Sequence, residues 1–112
     1  MTMGSVARNM AEAKQDNRAD ERVSARLPVD LGNNARGMTR NVSAHAIFFE
    51  ADASMYFVPG SRISFSVELG ATGRNMMILK VLGDILRIEQ QGERVGVAVK
   101  IVESNMEVTP LL

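Results

Sequence analysis

The chain of 112 residues lacks several features that define whole classes of protein. It has no cysteine, which excludes disulfides, thiolate zinc sites and cysteine nucleophiles. It has no net charge, because 13 lysines and arginines balance 13 aspartates and glutamates. This balance argues against the broad positive surface of a protein that binds duplex nucleic acid. It leaves room only for a local basic cluster.

Long hydrophobic runs are also missing. Residues 1–20 contain no apolar segment of the kind found in a secretory signal, and no later run is long enough to span a bilayer. The sequence therefore predicts a cytoplasmic protein that does not insert into membranes. At this length and with 46% hydrophobic residues, it predicts one small domain.

Catalytic groups are sparse as well. The single histidine, His45, is predicted to lie in a turn beside Ser43, where a lone histidine usually faces solvent. The glycine-rich segment "GATGR" lacks the Lys-Ser/Thr ending of a phosphate-binding loop and precedes a strand. No spacing indicates a carboxylate pair or a metal-binding set. We expect no enzymatic activity, no metal and no cofactor.

What the chain does contain is a series of short strands. "RISFSVEL" alternates apolar and polar residues with a period of two, and Gly83 inside "MMILKVLGDILRIEQ" indicates a bend. Turn signals occur at "GNN", "PG", "GATGR" and "QGE". About six strands without a convincing interior helix predict an all-β fold, either an antiparallel β-barrel or a sandwich.

The ends of the chain have a different composition. Residues 1–20 are polar and are predicted to form a flexible N-terminal arm. Residues 21–104 are predicted to form the barrel domain. Residues 105–112 are predicted to be a C-terminal tail or a single turn.

Two arginines, Arg22 and Arg26, stand where the arm meets the first strand. Guanidinium groups bind phosphate bidentately and stack on flat rings, so a pair on a flexible segment is suited to closing over an anionic ligand. On spacing alone, two ordinary surface arginines are the simpler interpretation.

A polar corner follows in "NVSAHA". Asn41 and Ser43 share one side of an extended chain, and both bond readily to local backbone or to a ligand edge. Asn41 would accept from a guanine, and Ser43 would hold the turn or reach a phosphate. A turn satisfied by its own side chains is the simpler alternative.

The order of these motifs resembles that of the PilZ domain family of bacterial cyclic di-GMP receptors. The chain has RxxxR before the first strand, a match to (D/N)xSxxG between the second and third except at its last position, and the strand pair in "GDILRIEQQGERVGVAV". The resemblance covers roughly residues 21–103. It implies a six-stranded antiparallel barrel, often with a C-terminal helix, for which this chain leaves almost no room.

By the same resemblance, Arg22 and Arg26 would grip the ligand's phosphates and guanines, and Asn41 and Ser43 would contact a guanine edge and a phosphate. The last motif position is Ala46, where the family usually has glycine. A β-carbon there would cost about 1 kcal/mol if φ is positive and nothing if φ is negative. It would also crowd a closely approaching ligand.

The sequence therefore predicts a cyclic di-GMP receptor whose arginine arm becomes ordered on binding and signals to a protein partner. The alternative is a degenerate PilZ-like adaptor that binds a protein and no nucleotide, with Ala46 as its main support. An oligonucleotide-binding barrel needs a stacking platform, and four phenylalanines and one tyrosine, mostly predicted in the core, supply little of one. No DNA or RNA partner is expected.

Overall fold

The computed structural model describes residues 23–111; the predicted arm, residues 1–20, and Arg22 lie outside this range. Within it the chain forms seven β-strands and no helix, so it contains no helix able to cross a membrane. The strands are β1 (Val23–Ser24), β2 (Pro28–Gly32), β3 (Ala35–Val42), β4 (Ala46–Asp52), β5 (Arg62–Thr72), β6 (Asn75–Gln91) and β7 (Arg94–Pro110).

Six of these strands close into a barrel. The neighbours run β3–β2–β5–β6–β7–β4, and β4 pairs again with β3, all antiparallel. The six-stranded antiparallel β-barrel predicted from the sequence is therefore confirmed. The two-residue β1 pairs with the far end of β3, beyond the part of β3 that pairs with β2.

Tight turns join β2 to β3, β5 to β6 and β6 to β7, as the turn signals predicted. Asn33 and Asn34 both have positive φ, 54° and 65°, which is the backbone of a two-residue hairpin loop whose twist matches the strands. Gly73 and Gly92, with φ of 60° and 65°, turn the next two hairpins. The bend predicted at Gly83 is confirmed, because the β6–β7 register shifts between Leu82 and Gly83.

The core lies inside the barrel and follows the period-two pattern. Phe65 and Val67 of β5 are buried. Phe49 of β4 is fully buried, and its ring centroid lies 5.3 Å from that of Phe65. Since alternate side chains of each strand point inward, the residues between them form the outer surface of the barrel.

The hairpin of β6 and β7 extends well past the barrel. Each strand has 17 residues, and their pairing continues to Asn75 opposite Pro110. The prediction of a tail or a single turn after Ser104 was wrong for residues 105–110, which continue β7. They do so because the equally long β6 offers backbone partners along its whole length. The predicted domain boundaries themselves stay a prediction.

Candidate functional site

Ser43 organises the turn between β3 and β4. Its backbone N–H donates to the Ala46 carbonyl oxygen at 2.9 Å. Its Oγ accepts from the backbone N–H groups of His45 (3.3 Å) and Ala46 (3.1 Å) and donates to the Ala46 carbonyl at 3.2 Å. These contacts use the donor and both acceptor sites of a hydroxyl. Ser43 therefore holds the turn, and its contact with a phosphate stays a prediction.

Asn41 lies on the outer surface of the barrel, in a row of residues that face one another across the strands. A register shift after Thr39 inserts Arg40 as an extra residue of β3 and places Asn41 opposite Phe48. The Asn41 side chain makes no hydrogen bond to another residue of the 23–111 range. The row, each residue paired with the next, is Ser24, Asn41, Phe48, Ala98 and Arg87.

A pocket of about 190 Å³ lies along this row. The ring of Phe48 lies over Gly96, where an added β-carbon would come within 2.5 Å of Phe48 Cζ. The Arg87 guanidinium lies 5.8 Å from the centroid of the same ring. The pocket thus combines an aromatic face, a cation and an amide. It is lined by Asn41, Ala46, Ile47, Phe48, Leu86, Arg87, Glu89 and Ala98.

The arginines near the pocket form ion pairs with carboxylates. Arg40 donates to Glu50, whose side chain is only 11% exposed, and Arg94 lies 4.0 Å from the same carboxylate. Arg87 donates through Nε to Glu89 at 2.9 Å, yet its side chain stays 60% exposed. Of these three, Arg87 is the one whose guanidinium borders the pocket.

The segment that carries Arg26 is fastened beside the row. Thr39 is fully buried; its Oγ1 accepts from Leu27 N–H at 2.8 Å and donates to the Ala25 carbonyl at 2.5 Å. Arg26, between these two residues, is exposed. Arg26 comes two positions after Ser24, which pairs with Asn41 in β3. The backbones of Arg26 and Ser24 are therefore roughly 7 Å apart along the chain. Arg26 therefore originates next to the Asn41 end of the pocket.

We expect Thr39→Val to loosen this segment. Valine keeps the shape of threonine but removes both hydrogen bonds, and the stranded Leu27 N–H and Ala25 carbonyl should cost about 2–4 kcal/mol in the free energy of unfolding. Urea denaturation measures the loss, and amide exchange at Leu27 should accelerate. The matched control is Thr72→Val at the exposed end of β5, which should change stability by under about 0.5 kcal/mol. Unchanged stability and unchanged amide exchange in Thr39→Val would contradict the role of Thr39 in fastening this segment.

Ala46, the departure from the family pattern, sits at the first position of β4. Within residues 23–111 the non-glycine residues with positive φ are Asn33 and Asn34, so Ala46 carries no such strain. Its contribution to the pocket wall is real, because it is one of the lining residues. The remaining effect of the methyl group is on the space available to a ligand.

The structure thus brings Asn41, Ala46 and the backbone of Arg26 to one region, while Arg22 lies outside the described range. Sequence reasoning missed Phe48 and Arg87. The signal for Phe48 was present, since Ile47, Phe49 and Ala51 are the inward residues of β4 and Phe48 falls between them. Arg87 could not be assigned without the strand register.

A larger depression lies elsewhere and contains none of the predicted site residues. It measures about 430 Å³ and is bordered by polar residues of β5, β6 and β7, including Ser64, Ser66, Lys80, Glu103 and Asn105. Its size does not make it the site, because it is shallow and offers no aromatic face beyond the core residue Phe65.

Within residues 23–111, the side chains whose pKa values are shifted lie away from the pocket. The pKa of Asp52 is lowered because the backbone N–H of Ser54 donates to its carboxylate, with the Ser54 side chain and Arg94 adding to the effect. The pKa of Arg62 is raised by its hydrogen bond and charge interaction with Asp84. Residues 23–111 hold no cluster of histidine and acidic residues suited to a metal ion. The pocket therefore presents an aromatic ring, an amide and the paired charges of Arg87 and Glu89.

Comparison with known proteins identifies a fold relative. The fold is similar to a solved structure of the Bacillus subtilis inhibitor of motility (MotI/DgrA), with a TM-score of 0.67 and 18% sequence identity. The match covers 80% of this chain and 44% of that chain, so this chain spans less than half of the other protein. No protein-family model and no curated protein matches the sequence. At this identity the comparison establishes a shared barrel fold.

Proposed function

We propose that this chain is a cyclic di-GMP receptor that binds the nucleotide over the pocket on the row from Ser24 to Arg87. The observation that carries the proposal is the pairing of Ser24 with Asn41. We call residues 1–27, which carry both arginines, the leader. The pairing brings the described part of the leader, residues 23–27, and the polar corner at Asn41 and Ser43 to the same edge of β3. Two sequence features 15 or more residues apart thereby become parts of one surface.

The chemistry of the pocket suits a guanine base. An aromatic ring offers a stacking surface for a flat base, and such stacking is worth about 1–3 kcal/mol. Phe48 supplies the ring, and the Asn41 amide has both donors and an acceptor for the base edge. Arg87 adds a positive charge at the far end of the pocket. Arg87 is already paired with Glu89, which also lines the pocket, so in the proposal the phosphates are bound mainly by Arg22 and Arg26.

Binding would proceed by closure of the leader. Arg26 projects from a segment that Thr39 fastens, and Arg22 is four residues earlier, next to the start of β1. In the proposal both guanidinium groups fold over the phosphates, and residues 1–22 become ordered around the ligand. The charge-assisted hydrogen bonds to the phosphates offset the conformational entropy that these residues lose when they become ordered. The ordered leader, or the surface that it covers, is then read by a protein partner.

A regulatory role agrees with the fold neighbour, whose name describes an inhibitor of motility. It also agrees with the PilZ-like order of motifs in this sequence. We therefore propose signalling without catalysis, in the cytoplasm, with cyclic di-GMP as the small-molecule partner. The Ala46 methyl group forms part of the pocket wall without straining the backbone, so in the proposal it acts on affinity only through the space left for the ligand.

Isothermal titration calorimetry tests the proposal directly. Cyclic di-GMP should give a saturable heat, and GTP, which has the same base but a single nucleoside, should give none at matched concentration. A chain that gives no heat and no rise in melting temperature with cyclic di-GMP is the adaptor of the alternative hypothesis. In that case the receptor proposal fails.

Phe48→Ala should weaken cyclic di-GMP binding about tenfold or more, because the stacking surface for one guanine is lost. The fold should persist, since the ring lies outside the barrel and is partly exposed. Tyr56→Ala is the matched control; Tyr56 is 89% exposed, lines neither depression and should leave the affinity unchanged. Equal affinities for the two variants would exclude Phe48 from the site.

A further inference from the structure

The second half of β7 has a free edge. β4 covers one side of β7 only from Arg94 to Lys100. One more backbone bond follows on that side, from Ile101 N–H to the His45 carbonyl at 2.8 Å. Beyond it, no strand of the described chain pairs with this side of β7 up to Pro110.

The direction of the backbone groups on this edge follows from the last hydrogen bond of the hairpin. Leu111 N–H donates to the Arg74 carbonyl at 2.6 Å, toward β6. Because N–H and C=O groups of alternate residues point to opposite sides of a strand, the odd-numbered residues from Leu111 back to Glu103 face β6 and the even-numbered ones face outward. The bulge at Val102 reverses this order before Glu103. The residues with backbone groups on the free edge are Ser104, Met106 and Val108.

The side chains here continue the inner face of the barrel. Met106 lies opposite Leu79, which in turn lies opposite the buried Val67. Val108 lies opposite Met77. Met106 and Val108 are nevertheless 52% and 55% exposed, because no other element lies over them in the described structure. The edge is therefore both unpaired and apolar on one face.

This edge lacks the usual protection against pairing. Proteins guard open edges with short strands, prolines, bulges or inward-pointing charges. Here a register shift beside Val102 and the proline at 110 bracket the run, and nothing interrupts the residues between them. The charged residues of the run, Glu103 and Glu107, lie on the opposite face from Met106.

We propose that the free edge of β7 pairs antiparallel with the same edge of a second copy, with the twofold axis at Met106. In this register Met106 faces the partner's Met106, and Ser104 faces the partner's Val108. Glu107 then faces the partner's Asn105, and Glu103 faces the partner's Thr109. About six backbone hydrogen bonds form, two at each outward-facing pair.

Charge selects this register over its neighbours. The apolar faces of the two strands stay on the same side of the sheet only if one strand shifts by two residues relative to the other. Each such shift moves the twofold axis by one residue. An axis at Asn105 would place Glu103 against the partner's Glu107 twice, and an axis at Glu107 would place that residue against the partner's Glu107. Directly opposed like charges destabilise a strand pair. Of these three adjacent registers, the one centred on Met106 avoids both.

Met106→Pro tests the interface in the full-length chain. The Met106 N–H points away from β6, so proline removes a donor from the free edge and none from the hairpin. By sedimentation, the wild type should have twice the chain mass, and Met106→Pro should have the single mass at the same concentration. Val58→Lys, a change at another exposed apolar residue (43%), should stay dimeric. A monomeric wild type, or a dimer that Met106→Pro leaves intact, would overturn the proposal.

Cysteine pairing tests the register separately and needs no proline. The chain has no native cysteine, so each introduced thiol is unique. Met106→Cys should form a disulfide-linked dimer under mild oxidation, since paired residues on antiparallel strands have Cα atoms about 5.5 Å apart. A mixture of Ser104→Cys and Val108→Cys chains should cross-link as mixed dimers more than either alone. The absence of an excess of mixed dimers would overturn the register. A monomer in which residues 1–22 cover the free edge would overturn the dimer itself.

Discussion

The chain carrying Arg22→Ala and Arg26→Ala together is expected to bind cyclic di-GMP about a hundredfold more weakly or worse. Each charge-assisted hydrogen bond from an arginine to a phosphate is worth about 1.5–3 kcal/mol. Since about 1.4 kcal/mol is a factor of ten, each single substitution should cost at least about tenfold. Arg26 is exposed on the segment held by Thr39, so its loss should leave the barrel stable. Calorimetry measures the affinity.

The matched control for the arginine pair is Arg36→Ala. Arg36 is an exposed arginine of β3 that pairs with Glu68 at 3.3 Å and lines neither depression. Its removal takes away one positive charge, as each single substitution of Arg22 or Arg26 does, and should leave the affinity unchanged. If the double variant binds as tightly as Arg36→Ala does, the leader takes no part in binding and the closure mechanism is wrong.

Gly83→Ala is expected to destabilise the barrel strongly, by about 2–3 kcal/mol in the free energy of unfolding. An added β-carbon would collide with Val99 Cγ1 and would lie 2.6 Å from the Lys100 carbonyl oxygen. The second of these atoms is backbone, so relief requires β7 itself to move. In a small domain this is a large share of the total stability and should lower the melting temperature by roughly 10 °C or more.

Gly73→Ala separates collision from backbone strain. Gly73 has a φ of 60°, and an added β-carbon would meet nothing within 4 Å. Its substitution should therefore cost only about 1 kcal/mol, the strain of a left-handed alanine. Thermal unfolding of both variants gives the comparison. Equal costs would mean that the bend at Gly83 does not depend on the close approach of β7.

Much of the fold was accessible from the sequence because alternation and turn chemistry are local. The pattern around Phe65 and Val67 and the two-residue turn at Asn33 and Asn34 each predicted what the structure has. The end of β7 was missed because Asn, Ser, Glu and Pro favour a tail when read locally. A hairpin argument would have found it, since a 17-residue β6 with a tight turn at Gly92 requires a partner of similar length.

The candidate site was only partly accessible, because it depends on strand register. Asn41 and Ser43 were found as a motif, yet the role of Ser43 in the turn became clear only from the contacts of its Oγ. Phe48 and Arg87 join the site through pairings that cross three strands. A bulge at Arg40 sets this register, and a one-residue slip would have turned the row inward.

The adaptor hypothesis makes a different use of the same surface. A protein partner would also be drawn to an aromatic ring beside an arginine. The distinction lies in nucleotide dependence: the receptor engages its partner only with cyclic di-GMP, and the adaptor engages it regardless. Pull-down with and without the nucleotide, using the Phe48→Ala chain as a negative control, separates the two.

The central claim is that the leader and the polar corner converge on one nucleotide, and NMR chemical-shift mapping tests it most directly. On addition of cyclic di-GMP, the largest amide shifts should follow the row of Ser24, Asn41, Phe48, Ala98 and Arg87, together with Arg22 and Arg26. Shifts confined to the depression around Ser64 and Glu103, or a leader whose signals do not change while the row responds, would contradict the account.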